Sequence, residues 1–383
     1  MKKALILCDH RATKAHPNGI RLIHFGHMLK ELGYNVEVCG IADEYNQAEF
    51  ENVLCTEWKQ IKGHSFKLHF QRKKDFIDNI KSVLTEDVEV VISAISTLKV
   101  NPRRFLRKYC KKNNIVFASS IVEWFNINNF GYKYLYRLFI NEFSMIFDHR
   151  KDKNIIGIST FLADYYKKQK CNSLYIPTII AREEYEDVKY EKNDRLTIMY
   201  AGSPGKKDAI MNAILALGEL SEEELKKIRF VIFGVTEGKL KSLGLTDEFL
   251  NKVGDSLQIM GRIPQEEVKG NIASADYTVL LRKDTRNAKA GFSTKVGESM
   301  ACGTPVIANY TGDLDKYIFD GKTGLVCENE SIECCASAYR KALSMSDEQY
   351  MQMRKNAKQT AIDEFDYRNY IAPLEQFISE AKR

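Results

Sequence analysis

A short stretch late in the chain combines residue types that suit phosphate and ribose. A loop with Ser293 and Thr294 precedes a predicted helix, which begins at Lys295 and is stopped by Gly303. The first turn of a helix has unsatisfied backbone N–H groups and a partial positive charge, so it attracts anions. A lysine there opposes the helix dipole unless a phosphate is bound beside it. Glu298, one turn further on, can accept two hydrogen bonds from a ribose diol.

Lys295 and Glu298 also have a plainer interpretation. Each can be an exposed helix residue, with a weak i,i+3 pairing between the two side chains. Short motifs often match by chance, so spacing alone supports this interpretation and phosphate binding about equally.

The elements that must position this stretch follow a repeated strand–helix order. Ala4–Cys8, an amphipathic helix ending before Gly33, and a strand at Val36–Cys39 form a βαβ unit. Apolar runs predict further buried strands in both halves: Val88–Ser93, Ile115–Ser119, Ile155–Ile158, Leu196–Tyr200, Phe230–Phe233, Leu257–Met260, Tyr277–Leu281, Pro305–Ala308 and Gly324–Cys327. Helical segments separate most of them. The pattern predicts an α/β protein with two doubly wound, Rossmann-like domains.

Length and composition agree with two globular domains. The chain has 383 residues, of which 44% are hydrophobic, and these values exclude a disordered or collagen-like protein. Residues 1–190 carry 30 basic and 22 acidic residues, whereas residues 191–383 carry 27 and 29. The basic first half predicts an anionic partner such as a membrane surface or a phosphorylated acceptor. Nucleic acid is not expected, since no RNA- or DNA-binding motif accompanies the charge.

Three features of the sequence bear on where the protein is located. No apolar run approaches the length of a membrane-spanning helix. The apolar part of the first nine residues is too short for an export signal and predicts a buried strand. The nine cysteines are scattered without a C-x-x-C spacing, which favours reduced thiols in the cytoplasm over zinc or a redox site.

The segment from Lys295 to Val326 resembles the donor-nucleotide signature of the family-4 retaining glycosyltransferases, which have the GT-B fold. Lys-x-x-Glu-x-Met-Ala-Cys-Gly-x-Pro-Val-Ile-Ala is followed by Thr-Gly-Asp at 311–313 and Asp-Gly-Lys-Thr-Gly-Leu-Val at 320–326. Other pieces match in order, among them Pro-Asn-Gly-Ile-Arg at 17–21, Tyr-Ala-Gly-Ser-Pro-Gly-Lys-Lys-Asp at 200–208 and Gly-Arg-Ile-Pro at 261–264. The resemblance is specific in the second half and loose in the first. It is closest to bacterial group 1 enzymes of polysaccharide or capsule synthesis.

The resemblance implies transfer of a hexose from a nucleotide-diphosphate sugar, with retention at the anomeric carbon and with neither metal nor other cofactor. It implies that Lys207, or its neighbour Lys206, binds the diphosphate and that Glu298 binds the ribose. The backbone of the loop Ser293–Lys295 should contact phosphate or sugar. Gly19 should let the first-domain loop approach the donor, and Gly202 belongs to the loop that opens the second domain. It also implies that Lys207 and Glu298 contribute to catalysis.

Two positions depart from the family pattern. Ala290 stands where a glutamate that contacts the donor sugar is common, and Ser203 stands where many members have an arginine. Lys206, Arg262 or Arg282 can supply the missing cation. We therefore expect an active enzyme with a variant donor pocket. Two alternatives stay open: a sugar-nucleotide epimerase of the same fold, and a non-catalytic nucleotide-sugar-binding subunit.

The acceptor side is less defined in the sequence. His10 and His16 flank the first loop, and Glu123 follows a predicted strand, but the favoured interpretation of each is a loop position without a role. The basic helix at 103–112 suits either an anionic surface or plain solvent. The aromatic stripe Leu135, Phe139, Phe143 and Phe147 has a helical period, which favours a place in the core. A glycan or lipid-linked acceptor, and a position at the inner face of the cell membrane, are the expectations.

The resemblance also sets domain limits. It implies an acceptor-binding domain over residues 1–180, a nucleotide-sugar-binding domain over 195–362, and a helical segment over 363–383 that returns to the first domain.

Overall fold

The computed structural model describes residues 2–13, 17–50, 52–60, 66–126, 135–202 and 207–382. The chain divides into two compact units. The first comprises residues 1–179 and 367–383, and the second comprises residues 180–366. Each is built on its own parallel sheet, so the prediction of two Rossmann-like domains is confirmed.

The first unit has an eight-stranded sheet in the order β3-β4-β2-β1-β5-β6-β7-β8. All neighbouring pairs are parallel except β3 and β4, which are antiparallel. Its strands are β1 (Lys3–Cys8), β2 (Asn35–Ala42), β3 (Asn46–Phe50), β4 (Val53–Lys59), β5 (Val88–Ala94), β6 (Val116–Ile121), β7 (Asn154–Gly157) and β8 (Asn172–Tyr175). The central strands are buried along almost their whole length, as a sheet covered on both faces requires.

In the described part of the chain, six helices accompany this sheet. They are α1 (Pro17–Glu31), α2 (Phe66–Val83), α3 (Val100–Lys112), α4 (Leu135–Phe143), α5 (Thr160–Lys168) and, from the end of the chain, α15 (Ile371–Ala381). A π-helical turn, Ser144–Asp148, continues α4. The predicted return of the C-terminal helix to the first domain is confirmed, because α15 packs on β8 and α1 and the Asn172 side chain donates a hydrogen bond to the Phe377 carbonyl.

The second unit has a six-stranded, fully parallel sheet in the order β11-β10-β9-β12-β13-β14. Its strands are β9 (Leu196–Ala201), β10 (Ile228–Phe233), β11 (Leu257–Gly261), β12 (Tyr277–Leu280), β13 (Val306–Asn309) and β14 (Gly324–Cys327). The chain order therefore reverses between β9 and β12. In doubly wound sheets, ligands bind beyond the carboxyl ends of the strands at this reversal point.

Nine helices cover the second sheet within its described residues. They are α6 (Ile210–Leu215), α7 (Glu222–Leu225), α8 (Glu237–Lys241), α9 (Asp247–Val253), α10 (Gln265–Ser274), α11 (Arg286–Ala290), α12 (Thr294–Ala301), α13 (Ile332–Leu343) and α14 (Asp347–Phe365). Apolar residues of β9, β10 and β12 pack with α6 and α13 in one cluster. Gly303 ends the turn after α12 with a φ of +72°.

Two interpretations of the sequence need correction. The aromatic stripe is not core, because Leu135, Phe139 and Phe147 are exposed. The arginines of the basic helix α3 are not simply solvated, because Arg103 is fully buried and Arg104 and Arg107 pair with Asp148. No helix in the described part of the chain has the length and apolar character needed to cross a membrane.

Candidate functional site

The reversal point of the second sheet brings together residues that are far apart in the chain. Gly202 follows β9, and Arg282 comes two residues after β12. Asp208 forms an antiparallel bridge with Arg282, and the N–H of Ala209 donates to the Leu281 carbonyl. These backbone contacts hold the end of the Gly202 loop against the end of β12.

A buried carboxylate ties three donors together here. Asp208 accepts hydrogen bonds from Arg282 Nε at 3.0 Å, from the Tyr200 hydroxyl at 3.1 Å and from Lys295 Nζ at 3.3 Å. Lys295 Nζ also donates to the Tyr200 hydroxyl at 2.7 Å and lies 4.0 Å from the centre of that ring. We call Tyr200, Asp208, Arg282 and Lys295 the switch-point cluster.

The switch-point cluster carries an excess of positive charge. Burial raises the pKa of Asp208, but Lys295 and Arg282 outweigh it and hold that pKa below its usual range. Burial lowers the pKa of Lys295, and Asp208 opposes this shift. The Asp208 side chain is 5% exposed, whereas that of Lys295 is 26% exposed. One anion thus faces two cations, and the lysine remains accessible to a ligand.

Glycines keep the space next to Lys295 open. Gly202 has a φ of +123°, and a Cβ built on it would lie 3.0 Å from Lys295 Cε. Gly234, after β10, has a φ of +89°, and its Cβ would lie 2.7 Å from the carbonyl carbon of Gly202. Side chains at either position would therefore force the strand ends apart or displace the lysine.

The helix that carries Lys295 begins at this edge of the sheet. Ser293 is the N-cap of α12, and its side chain makes no capping hydrogen bond within the described residues. Within the first turn the Val296 N–H donates to the Ser293 carbonyl, whereas the N–H groups of Thr294 and Lys295 precede the first intrahelical bond and can bind an anion. The other end of α12 is fixed to the sheet, because the Ser299 hydroxyl lies 2.6 Å from that of Thr278 and donates to the Thr304 carbonyl.

Glu298 lies one turn along α12, partly buried. Burial raises its pKa to about 7, even though Lys295 lowers it. Glu184, Tyr185 and Cys302 are its other electrostatic neighbours. A carboxylate whose charged form is disfavoured by burial is stabilised by hydrogen-bond donors, and two hydroxyls of a bound diol would supply them.

Some of the other residues predicted to bind the donor lie at this edge of the sheet, and some lie outside the described residues. Lys207 adjoins Asp208, and its carbonyl accepts a hydrogen bond from the Lys283 N–H. Arg262 follows β11 at the same edge of the sheet, with an exposed side chain. Thr294 opens α12, and Ala290 is fully buried at the end of α11. Lys206 and Ser203 lie outside the described residues.

Gly19 has a local requirement in the first unit. A Cβ on Gly19 would lie 2.2 Å from the Thr13 carbonyl oxygen, so the glycine lets α1 pack against the preceding loop. Its predicted contact with the donor stays a prediction.

The first unit has its own cavity, of about 130 Å³, at the reversal point between β1 and β5. His10 and Glu123 both line it, so the structure brings these two acceptor-side predictions together, while His16 lies outside the described residues. Asp9 shares the wall, where its carboxylate accepts a hydrogen bond from the Ser96 N–H at 3.1 Å and pairs with Lys99 Nζ at 3.3 Å. A cavity of this size accommodates a small polar group, about one sugar ring or less.

Sequence reasoning missed two other groups in that cavity wall. The Ser120 hydroxyl is buried and has no hydrogen-bond partner among the described residues. His149 is buried beside Arg103 and Asp152, and burial lowers its pKa to about 4, so the imidazole is neutral at physiological pH. A lone serine and a lone histidine carry no spacing signal, so only the fold reveals them.

Asp208 and Tyr200 were also missed as functional residues. They lie 87 and 95 residues before Lys295, so no local pattern links them to it. A buried acid next to two lysines was the available hint, since a buried charge requires a partner.

The described residues contain no candidate metal site. Among the described residues, no group of three or more His, Cys, Asp and Glu side chains is arranged to hold a metal ion. Metal independence itself stays a prediction.

Comparison with known sequences finds similarity in the second half of the chain. Residues 181–360 match the family model described as "Glycosyl transferases group 1". An uncharacterized glycosyltransferase of Methanocaldococcus jannaschii is 20% identical over 193 residues, which cover 48% of this chain and 47% of the relative. The match thus spans about half the length of that curated relative.

Comparison with solved structures extends over the whole chain. Sucrose-phosphate synthase from Thermosynechococcus elongatus has a TM-score of 0.74 at 15% identity, with 99% of each chain covered. Anabaena HepE in complex with UDP has a TM-score of 0.70 at 12% identity, with 99% of this chain and 100% of that chain covered. These similarities confirm the two-domain fold. Residues 181–360 are thus similar to the group 1 glycosyl transferases, and the fold of the whole chain is similar to the GT-B-like folds of these solved structures.

Proposed function

We propose that this chain is a retaining, metal-independent glycosyltransferase. It moves a hexose from a nucleotide-diphosphate sugar to a glycan or a lipid-linked acceptor. The switch-point cluster is the observation that carries this proposal, because it places two cations and a helix N-terminus at one sheet edge without a metal site among the described residues.

The chemistry of the leaving group explains this arrangement. The diphosphate gains negative charge as the bond from its oxygen to the anomeric carbon breaks, and fixed positive groups lower the barrier to that step. Lys295 is accessible, Arg282 is fixed by Asp208, and the first-turn N–H groups of α12 point outward from the helix start. Lys207, beside Asp208, is the further cation that the family resemblance gives to the diphosphate. Glu298 would hold the ribose.

Similar proteins support the class of donor. HepE has been solved with UDP, and with UDP-glucose. A nucleotide sugar is therefore the proposed donor for this chain as well, and its base and sugar are to be found by screening.

The first unit supplies the proposed acceptor site. Its cavity lies at the carboxyl ends of β1, β5 and β6 and is lined by groups that bond sugar hydroxyls, including Asp9, Ser120 and Glu123. A role in polysaccharide synthesis, in the cytoplasm at the inner membrane face, fits such an acceptor.

One assay separates this function from its alternatives. The purified chain is incubated with a panel of nucleotide sugars, with and without oligosaccharide or lipid-linked acceptors, in buffer containing a chelator. Acceptor-dependent release of nucleoside diphosphate, with the product anomer matching that of the donor, is the expected result. A strict need for added magnesium or manganese would contradict the metal-independent mechanism.

A paired substitution tests the site itself. Lys295→Met should weaken nucleotide-sugar binding at least tenfold, because a charge-assisted hydrogen bond to phosphate is lost. Lys289→Met, on α11, removes an exposed lysine that pairs with Asp284 and should leave binding unchanged. Calorimetric titration of both variants with the same nucleotide sugar gives the comparison, and equal affinities would remove Lys295 from the site.

A second candidate function is a non-catalytic nucleotide-sugar-binding subunit. Ala290 favours it, because a fully buried methyl group stands where the family resemblance implies a carboxylate on the donor sugar. Binding of nucleotide sugar without turnover on any acceptor would support it. Isomerisation of the donor without acceptor would instead indicate an epimerase.

A further inference from the structure

Helix α4 of the first unit has polar side chains facing inward and several large apolar side chains facing outward. Asn141 is fully buried and accepts a hydrogen bond from the Thr97 hydroxyl, and Glu142 accepts one from the Trp124 ring N–H. On the other side, Phe139 is 72% exposed, and Leu135 and Tyr136 are exposed too. Phe147, in the π-helical turn, is 53% exposed. We call Leu135, Tyr136, Phe139 and Phe147 the apolar stripe.

The apolar stripe is held firmly in this orientation. The Ser144 hydroxyl donates to the Thr97 carbonyl, and Asp148 pairs with Arg103, Arg104 and Arg107 of α3. Both Arg103 and Asp148 are fully buried. Turning the stripe inward would break these bonds and leave several buried charges without partners, so the aromatic side chains stay outside.

A large basic groove lies directly beside the stripe. Its volume is about 660 Å³, and α2, α3 and α4 contribute its walls. Phe76, Leu98, Ile140 and Phe143 give it apolar surface. Six cationic side chains and one carboxylate, that of Asp75, line it; the cations are Lys59, Arg72, Lys73, Lys99, Arg104 and Arg137.

We propose that the apolar stripe and the basic groove form a docking surface for a bilayer that contains anionic phospholipid. Aromatic and aliphatic side chains of an interfacial helix enter the headgroup boundary, and neighbouring Lys and Arg bind lipid phosphates. The groove combines cations with apolar side chains, so its chemistry suits one phosphate headgroup and the start of its acyl chains. Six cations against one carboxylate give the groove a net positive charge, which favours the uniformly anionic surface of such a bilayer as the occupant.

This surface also adjoins the acceptor cavity. Lys99 lines the groove, and its Nζ lies 3.3 Å from Asp9, which lines the cavity. A lipid held in the groove would keep the bilayer surface next to that cavity, which suits a lipid-linked acceptor. The inference rests on the proposed function for this purpose only, since membrane binding itself is independent of sugar transfer.

Vesicle flotation of the full chain tests the proposal. Vesicles of phosphatidylcholine alone are compared with vesicles of equal phosphatidylcholine and phosphatidylglycerol. We expect at least tenfold stronger binding to the anionic vesicles, and we expect it to weaken as salt is added. Equal binding to both kinds of vesicle, or no binding to either, would overturn the proposal.

Two pairs of variants separate the parts of the surface. Phe139→Ser with Phe147→Ser should abolish binding, whereas Leu243→Ser with Met351→Ser, at exposed apolar positions of the second unit, should not. Arg72→Gln with Lys73→Gln should weaken binding about tenfold or more, whereas Lys111→Gln with Lys112→Gln, the same charge change at exposed positions of α3, should have little effect. Equal effects within either pair would contradict the assignment of the surface.

Other outcomes are equally decisive. Sedimentation of the free chain reports self-association, and a dimer that the Phe139→Ser, Phe147→Ser variant dissociates would mean that a second copy covers the stripe. Such a dimer would overturn the proposal. Nucleoside diphosphate release is measured separately with a soluble acceptor, so vesicle binding without any release would contradict the proposed function and leave this inference intact.

Discussion

The two units each contain a buried ion cluster, and the clusters differ in what surrounds them. In the first unit, Arg103 contacts Asp148 at 3.2 Å, His149 Nδ1 at 2.8 Å and the Ser144 hydroxyl at 2.7 Å. In the second, Asp208 holds Arg282 and Lys295. In both clusters the cations outnumber the carboxylates. Net charge alone therefore does not distinguish a structural cluster from a ligand-binding site.

Accessibility and neighbouring backbone make the difference. Arg103 and Asp148 are fully buried, and helices α3 and α4 enclose them. Lys295 is partly exposed, and Gly202 and Gly234 leave space beside it. The first cluster therefore fixes two helices to each other, whereas the second can exchange part of its bonding for a ligand. A buried charged group is therefore weak evidence for a functional site unless part of its cluster is accessible to a ligand.

Removing Arg103 should give the largest effect on stability. Arg103→Met leaves the carboxylates of Asp148 and Asp152 buried with fewer partners, at a cost of about 3–5 kcal/mol. Hydrogen exchange of peptides from the first unit measures the loss, which should spread over α3 and α4. Lys111→Met, an exposed change on the same helix, should cost less than about 0.5 kcal/mol. If Arg103→Met were as mild as Lys111→Met, the cluster would not be the clamp described above.

Much of the fold was predictable from the sequence, and the exceptions have a common cause. Gly324–Cys327 was predicted with its observed limits, and the other predicted strands lie within a few residues of theirs. Strands β3, β4 and β8 were missed because none has a continuous apolar run: Asn46–Phe50 and Asn172–Tyr175 are largely polar, and Thr56 and Glu57 interrupt the buried strand β4. Sequence reasoning recognises a strand by an unbroken apolar run, and these three strands lack it.

The candidate site was predictable only in its local parts. Ser293, Lys295 and Glu298 share one helix start, so spacing revealed them. Asp208 reaches Lys295 through the packing of two loops, and nothing in local sequence encodes that contact. The same reason hid the pairing of α3 with Asp148, which made a clamp look like a solvated basic helix.

Glu298→Gln should show how much stability the folded chain loses by keeping the Glu298 carboxylate ionised in a partly buried position. A glutamate whose pKa rises to about 7 on folding binds its proton more tightly in the folded state. The unfolded chain binds fewer protons between its ordinary pKa and about 7, so the stability of the wild type falls as pH rises through this window. The loss of stability is complete above pH 7. It is at most about 3 kcal/mol, and the actual loss is smaller because Glu298 is partly exposed and solvent screens its charge.

The variant should therefore melt higher than the wild type at pH 8 and about equally at low pH. Its affinity for nucleotide sugar should fall, because an amide is a poorer acceptor for two ribose hydroxyls than a carboxylate. Thermal melts across pH, with calorimetric titration at pH 8, measure both. A variant that melted lower than the wild type at pH 8 would show that Glu298 has native partners, as the acids of the first cluster have. That result would remove the contrast between the clusters.

Gly202→Ala should give a smaller effect, and it tests whether open space defines the second cluster. The added Cβ would lie 3.0 Å from Lys295 Cε, and a φ of +123° disfavours alanine by at least about 1 kcal/mol. Because the lysine must shift, nucleotide-sugar affinity should fall more than stability does.

Gly238→Ala is the matched control: Gly238 lies inside α8 with nothing within 4 Å of its Cβ, so alanine there should stabilise the chain slightly. Equal affinity for nucleotide sugar in the two variants would mean that Lys295 acts from another position, and that the space beside Gly202 does not distinguish this cluster from the closed one.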